Sequence, residues 1–141
     1  MRFWDSSALV PLVISEQASA EVERLAAADT ILAVWWGTRV ECCSAIRRRV
    51  RDGSVLSDAA TKALAEVDEL AGEAVETPPS APLRSLACEL LDRHPLRAAD
   101  ALQLAAAVKA RETAAAPIDF VCLDQRLRQA AEREGFTVLP V

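Results

Sequence analysis

Near its start the 141-residue chain carries Phe3-Trp4-Asp5-Ser6-Ser7-Ala8-Leu9-Val10, in which an acid stands where a short apolar strand passes into a helix. In open α/β proteins, binding and catalytic groups stand at such junctions, outside the carboxyl ends of the strands. Asp5 is therefore the first candidate site residue. Further carboxylates brought to the same place would repel it unless a cation joined them, so the possibility of a metal site has to be considered.

Outward from this segment, strand-like and helix-like stretches alternate along the chain. Strands are expected at 3–4, 31–34, 74–77, 118–123 and 136–139, and helices at 6–14, 16–28, 38–51, 57–72, 82–93, 96–112 and 124–134. This alternation predicts an α/β protein with a parallel sheet covered by helices on both faces. No internal repeat or low-complexity segment interrupts it, so residues 1–141 are expected to form one domain.

Composition and charge narrow the possible functions. A hydrophobic content of 52% supports a substantial core, and a net charge of -5 argues against a nonspecific nucleic-acid coat. A local patch of arginines at 47–49 and 51 could still hold phosphates, or could be a solvated helix end or a partner surface. No apolar run is long enough to span a membrane and no signal segment is evident, so a cytoplasmic protein is expected.

The cysteines and the single histidine do not have zinc-ligand spacing. Cys42, Cys43, Cys88 and Cys122 form no C-x-x-C pair, and we expect them to be buried small residues in a reducing compartment. His94 precedes Pro95 in a predicted turn and is expected on the surface.

Three further acids, Glu41, Asp100 and Asp124, stand after strands or early in helices. Taken singly, helix capping and the helix dipole explain most of these acids. Taken together, they belong to one edge of the sheet, because parallel strands end where the following helices begin. All four acids can converge on one cleft. In an extended strand that rises about 3.3 Å per residue, Asp119 lies about 16 Å before Asp124. Asp119 is therefore expected at the opposite edge of the sheet.

A site built from carboxylates alone favours a hard cation, Mg²⁺ or Mn²⁺. Such an ion can activate a water and offset the charge that grows on a phosphate, which makes a phosphodiester the natural substrate. On the helix at 38–51, Val40, Cys43 and Val50 are predicted to form an apolar stripe, with Glu41 and Arg48 on an adjacent face.

Two arginines and two tryptophans are further candidates near this site. Arg48 could meet a phosphate two turns from the metal. Arg97, one turn before Asp100, could touch phosphate or be part of a solvated helix start. One of Trp35 and Trp36 is expected in the core, and the other could stack on a base or sit in a dimer interface.

The sequence resembles PIN-domain proteins, and among them the VapC toxins of bacterial toxin–antitoxin pairs. The matching segments are the opening 3–10, Thr38-Arg39-Val40-Glu41, Leu96-Arg97-Ala98-Ala99-Asp100-Ala101-Leu102-Gln103-Leu104-Ala105, Phe120-Val121-Cys122-Leu123-Asp124-Gln125-Arg126-Leu127 and the closing Gly135-Phe136-Thr137-Val138. No single segment is very specific, but their order and spacing together are, and they span essentially the whole chain.

The resemblance implies a PIN-like three-layer α/β/α sandwich and a Mg²⁺-dependent ribonuclease that cuts RNA as a homodimer. A cognate VapB antitoxin would inhibit it by threading a C-terminal segment across the site. The metal-binding and catalytic acids would be Asp5, Glu41, Asp100 and Asp124, and Ser7 would be the small hydroxyl that supports the site. For Ser6, plain capping of the helix is the preferred interpretation.

The chain departs from the family pattern at two positions. Cys122 stands where many relatives carry Thr or Ser, and Gln103 stands where relatives often have His. The first departure supports an alternative, a PIN-like module that binds RNA or a partner without cutting. A phosphotransfer protein with Asp5 as nucleophile is disfavoured, because Ser7 occupies the position where dehalogenase-type phosphatases need a second Asp, and neither lysine suits a receiver domain.

Overall fold

Strands and helices alternate in the computed structural model, which describes residues 1–141. The strands are β1 (Arg2–Trp4), β2 (Leu32–Trp35), β3 (Val75–Thr77), β4 (Phe120–Val121) and β5 (Val138–Leu139). The helices are α1 (Ser6–Val13), α2 (Ser19–Ala27), α3 (Thr38–Arg51), α4 (Ser57–Glu73), α5 (Ala81–Arg93), α6 (Ala98–Thr113) and α7 (Gln125–Arg133). No helix combines the length and apolarity needed to cross a bilayer.

All five strands are parallel and lie in the order β3-β2-β1-β4-β5. The chain builds outward from β1 to β3 on one side and then adds β4 and β5 on the other. Strand order therefore reverses between β1 and β4, and at such a reversal a crevice opens outside the carboxyl ends of the strands.

Helices cover both faces of the sheet, as the sequence predicts. Phe3 and Phe120 face the layer of α5, α6 and α7, and their rings stack with centroids 5.6 Å apart. Trp4 and Val121 face the layer of α1 to α4. Consecutive residues of a strand are thus buried on opposite faces of the sheet, which is why apolar and polar residues do not alternate along these strands. The predicted three-layer α/β/α arrangement is confirmed.

Several element bounds differ from prediction, and for two elements the difference arises because side chains take over backbone hydrogen bonds. The second helix begins at Ser19 and not at 16, because Ser19 Oγ accepts from Glu16 N at 2.8 Å and donates to Pro11 O at 2.7 Å. The predicted strand at 118–123 shortens to Phe120–Val121, since Leu123 N donates to Ser7 Oγ at 2.9 Å.

The predicted apolar stripe of α3 is wrong. The helix buries Thr38, Cys42 and Ile46, while Val40 is 69% exposed. The phase of the helix is fixed at its start, where Thr38 Oγ1 accepts from the buried Gln103 side chain at 2.9 Å.

Two predictions about individual polar side chains are also wrong. Among the cysteines, Cys42 and Cys122 are buried, but Cys43 is only partly buried and Cys88 is exposed. His94 is 8% exposed, because it ends α5 against the end of α7, where its Nε2 lies 2.7 Å from Glu134 Oε1.

Candidate metal centre

Asp5 stands directly after β1 and caps α1 from a buried position. Its Oδ2 accepts from Ser7 N at 3.0 Å and from Ser7 Oγ at 2.5 Å, and its side chain is nearly inaccessible to solvent. Ser7 Oγ also accepts from Leu123 N, which ties the end of β4 to Asp5. Ser7 therefore holds the carboxylate and joins the two strand ends at the point where strand order reverses.

Cys122 completes the surroundings of Asp5. Its Sγ lies 3.6 Å from both Asp5 Oδ2 and Ser7 Oγ. Burial, reinforced by the negative charge of Asp5, raises the pKa of the Cys122 thiol well above its usual range. The thiol therefore stays protonated and can donate to Asp5, as a hydroxyl at this position would, but more weakly.

Glu41, in the first turn of α3, is held at both oxygens. Ser6 Oγ donates to Oε1 at 3.2 Å, and Gln103 Nε2 donates to Oε2 at 3.0 Å. The prediction that Ser6 caps α1 is wrong, because Asp5 is the capping residue and leaves Ser6 free to reach Glu41. Gln103 is fully buried, and its Oε1 has no hydrogen-bond partner.

Asp100 and Asp124 stand at the starts of α6 and α7. Asp100 Oδ2 accepts from Arg97 N at 3.3 Å, and Asp124 Oδ1 accepts from Leu127 N at 3.0 Å. Both acids line a cavity of about 380 Å³ that has no apolar residue in its wall. The remaining lining residues are Arg97, Gln125 and Arg126.

The four acids are electrostatically coupled. Burial raises the pKa of Asp5, and burial together with the charge of Asp5 raises the pKa of Glu41 to about 7. Burial and the charge of Asp124 raise the pKa of Asp100. None of the four takes part in any of the seven ion pairs of the chain. These four carboxylates therefore stand at one edge without forming an ion pair with a Lys or Arg.

The chemistry of these donors fits a hard divalent cation, because every candidate ligand atom is a carboxylate oxygen and a cation would offset the burial that raises the pKa values of Asp5, Glu41 and Asp100. No three His, Cys, Asp or Glu side chains of the chain, however, lie close enough together to hold one ion between them.

The opposite edge of the sheet carries acids that are already paired. Asp119 lies 3.6 Å from Arg2 Nε, at the amino end of β1, as predicted for a residue outside the site. Asp29 is buried, but it accepts from Arg2 N at 3.0 Å and from Trp4 Nε1 at 3.1 Å. These partners give both acids a structural role.

The remaining candidates divide between the site and the surface. Arg97 lines the Asp100–Asp124 cavity, whereas Arg48 is exposed two turns beyond Glu41 and does not line it. Trp35 is buried, and Trp36 is 56% exposed, which confirms that one of the pair belongs to the core.

Sequence reasoning gave no role to two residues of the site, Gln103 and Arg126. A signal existed for each. Gln103 follows Asp100 by one helical turn, and Arg126 lies in the first turn of the helix that Asp124 caps. What the sequence could not show was which residues of other elements lie beside them.

No family model matches the sequence, and no curated protein matches it. Solved structures match its fold. Mycobacterium tuberculosis VapC20, described as a sarcin-ricin loop cleaving toxin, is 20% identical over 97% of this chain and 97% of its own, with a TM-score of 0.71. PAE2754 from Pyrobaculum aerophilum is 22% identical over 98% of this chain and 83% of its own, with a TM-score of 0.66.

A third similar structure, FitAcB from Neisseria gonorrhoeae, is 14% identical over 99% of this chain and 97% of its own, with a TM-score of 0.66. The chain therefore has the PIN-like α/β/α fold, with a central, wholly parallel five-stranded sheet. The predicted resemblance to PIN-domain proteins is confirmed at the level of the fold.

Proposed function

We propose that this chain is a metal-dependent endoribonuclease toxin that hydrolyses RNA phosphodiester bonds. One observation carries the proposal. Four carboxylates stand at the edge where the sheet reverses its strand order. The pKa values of three of them are raised, because Asp5 is buried, Glu41 and Asp100 are partly buried, and none of the three has an ion-pair partner. A fold of this kind gains nothing in stability from such a cluster, so we infer a role in binding a cation.

Asp5, Glu41, Asp100 and Asp124 would hold Mg²⁺, or Mn²⁺ in its place, partly through bridging waters, because no three of these side chains lie close enough to hold one ion between them. When bound, the ion supplies an activated water and offsets the charge that grows on the phosphate in the transition state. Ser7 and Cys122 orient Asp5, while Ser6 and Gln103 orient Glu41. Carboxylates held in this way lose less freedom when they bind a ligand, which favours affinity.

Two arginine side chains, Arg97 and Arg48, would contact the RNA strand. Arg97 lines the cavity beside Asp100 and would bind a phosphate there. Arg48, exposed two turns beyond Glu41, would contact a phosphate farther along the strand. Arginine suits both places, because its planar guanidinium can donate to two phosphate oxygens at once.

The partners that we propose are those of a type II toxin–antitoxin pair in the cytoplasm: a cognate VapB-type antitoxin and a second copy of the chain in a homodimer. The fold shared with VapC20, a toxin, supports the antitoxin. Trp36, just before α3, and Val40, in its first turn, both expose apolar surface, which supports a protein contact at the start of α3.

Cleavage of RNA by the purified chain tests the proposal. We expect cleavage that requires Mg²⁺ or Mn²⁺, stops with a chelator and is lost in Asp5→Asn and Asp100→Asn. Asp119→Asn, at the opposite edge, is the matched control and should cleave as wild type does. Equal cleavage by wild type and by both site variants would refute the assignment of the acids.

A catalytically weak module that binds RNA or a partner is the second candidate. The thiol of Cys122 favours it, since a hydroxyl would donate more strongly to Asp5. Calorimetric titration distinguishes the two functions: the absence of binding at millimolar Mg²⁺ and Mn²⁺ would favour the binding module.

A further inference from the structure

The cavity between the starts of α6 and α7 contains two arginines that have no ion-pair partner. Arg97 and Arg126 line it together with Asp100, Asp124 and Gln125. Both guanidinium groups lie near enough to attract the Asp100 carboxylate, which offsets part of the rise in its pKa that burial causes, yet neither forms a salt bridge with it or with any other acid. Two cationic groups are thus available to an external ligand.

Many of the other arginines already form salt bridges or hydrogen bonds within the chain. Side-chain contacts occupy Arg2, Arg39, Arg49, Arg93, Arg111 and Arg128. Arg97 and Arg126 differ from the remaining exposed arginines because they share one cavity with two of the candidate acids. Their position is fixed by the fold, since one arginine precedes α6 and the other lies in the first turn of α7.

We propose that Arg97 and Arg126 together bind one phosphate of the RNA strand, immediately beside the Asp100–Asp124 pair. This inference rests on the proposed ribonuclease function and adds Arg126 and a defined binding site to it. Each guanidinium can donate to two phosphate oxygens, so two of them can enclose the group from both sides of the cavity.

The charges of the cavity favour a phosphate that belongs to a polymer. Two arginines and two acids cancel formally, so a free anion gains little net attraction there. An RNA strand makes further contacts along its length and brings its phosphate to the cavity at a high effective concentration. The site is therefore expected to take a phosphodiester within RNA in preference to inorganic phosphate.

Binding of single-stranded RNA without cleavage tests the site. Fluorescence anisotropy of a labelled strand would be measured in the Asp5→Asn background at several KCl concentrations. Adding Arg97→Ala or Arg126→Ala should weaken binding about tenfold, as for loss of a charged hydrogen bond. Each should also reduce the slope of log K against log salt by about 0.7, the value for one phosphate contact on a single strand.

Two further variants separate phosphate binding from general effects of charge. Arg126→Lys should keep most of the salt slope but recover only part of the affinity, because an ammonium cannot donate in a fork. Arg24→Ala removes an exposed, unpaired arginine on α2, next to Leu25, whose carbonyl accepts from Arg2 at the amino end of β1. It should leave both the affinity and the slope unchanged.

The possible outcomes distinguish this inference from the function on which it rests. If wild type cleaves RNA and Arg126→Ala behaves like Arg24→Ala, the phosphate site is wrong and the ribonuclease stands. If the Asp5→Asn chain binds no RNA and wild type cleaves none, both are wrong. Polyglutamate serves as the probe for an acidic protein segment. If wild type binds polyglutamate and Arg126→Ala does not, while both bind RNA equally well, the cavity takes an acidic protein segment and the inference is overturned. Strong competition by inorganic phosphate at constant ionic strength would refute the preference for a polymer.

Discussion

Gln103 Nε2 donates to Glu41 Oε2 over 3.0 Å, and this bond joins the helix that carries Asp100 to the helix that carries Glu41. The same amide donates to Thr38 Oγ1 at 2.9 Å from a fully buried position. Its Oε1 has no partner, although buried polar atoms almost always find one. A buried amide that donates to both Glu41 and Thr38 is well placed to hold Glu41.

Gln103→Met should therefore weaken metal binding without unfolding the chain. Two hydrogen bonds are lost, so we expect the free energy of unfolding to fall by about 1–2 kcal/mol. Mn²⁺ affinity, measured by calorimetry, should fall at least about tenfold, as is typical when a residue that orients a ligand is removed.

Thr38→Val is the matched control for Gln103→Met, because it removes the other acceptor of the same amide and leaves the Glu41 contact in place. It should retain most of the Mn²⁺ affinity. Unchanged Mn²⁺ affinity in Gln103→Met would mean that the amide only fills space between α3 and α6.

Replacing Cys122 by a hydroxyl residue should strengthen the support of Asp5. A serine hydroxyl donates more strongly than the thiol that now lies 3.6 Å from Asp5 Oδ2. We expect Cys122→Ser to raise the rate of RNA cleavage several-fold under saturating metal, and Cys122→Ala to lower it. Equal rates in all three proteins would show that this donor does not contribute, and urea unfolding would detect any loss of stability from repacking.

The four cysteines should differ sharply in their reactivity toward iodoacetamide. Cys88 is exposed, whereas Cys122 is buried with a pKa raised by burial, so its reactive thiolate is scarce. Mass spectrometry after brief alkylation at neutral pH should find Cys88 modified and Cys122 protected until urea unfolds the chain. Rapid native modification of Cys122 would contradict its packing against Asp5 and Ser7.

The sequence predicted those features that depend on neighbours along the chain. Asp5 follows β1 directly and Asp124 follows β4 after Cys122 and Leu123, so the rule for parallel sheets was enough to bring them to one edge. That these acids bind a metal and cut RNA stays a prediction.

Features that depend on distant partners escaped sequence analysis. His94 is buried by Glu134, forty positions later, and Gln103 meets Glu41 sixty-two positions earlier. The apolar stripe of α3 failed for the same reason, because Gln103 and not local hydrophobicity turns Thr38 inward.

Stability of the metal-free chain should fall as pH rises toward neutrality. The pKa of Glu41 is about 7 in the folded chain and near 4.5 when unfolded, so the folded state keeps a proton that the unfolded state has lost. The free energy of unfolding then decreases between these two values, and the raised pKa values of Asp5 and Asp100 act in the same direction. Glu41→Gln should stabilise the chain by about 1–2 kcal/mol at pH 8 and by little at pH 4. Urea unfolding with a chelator present measures both, and a variant with the pH dependence of wild type would contradict the burial of this charge beside Asp5.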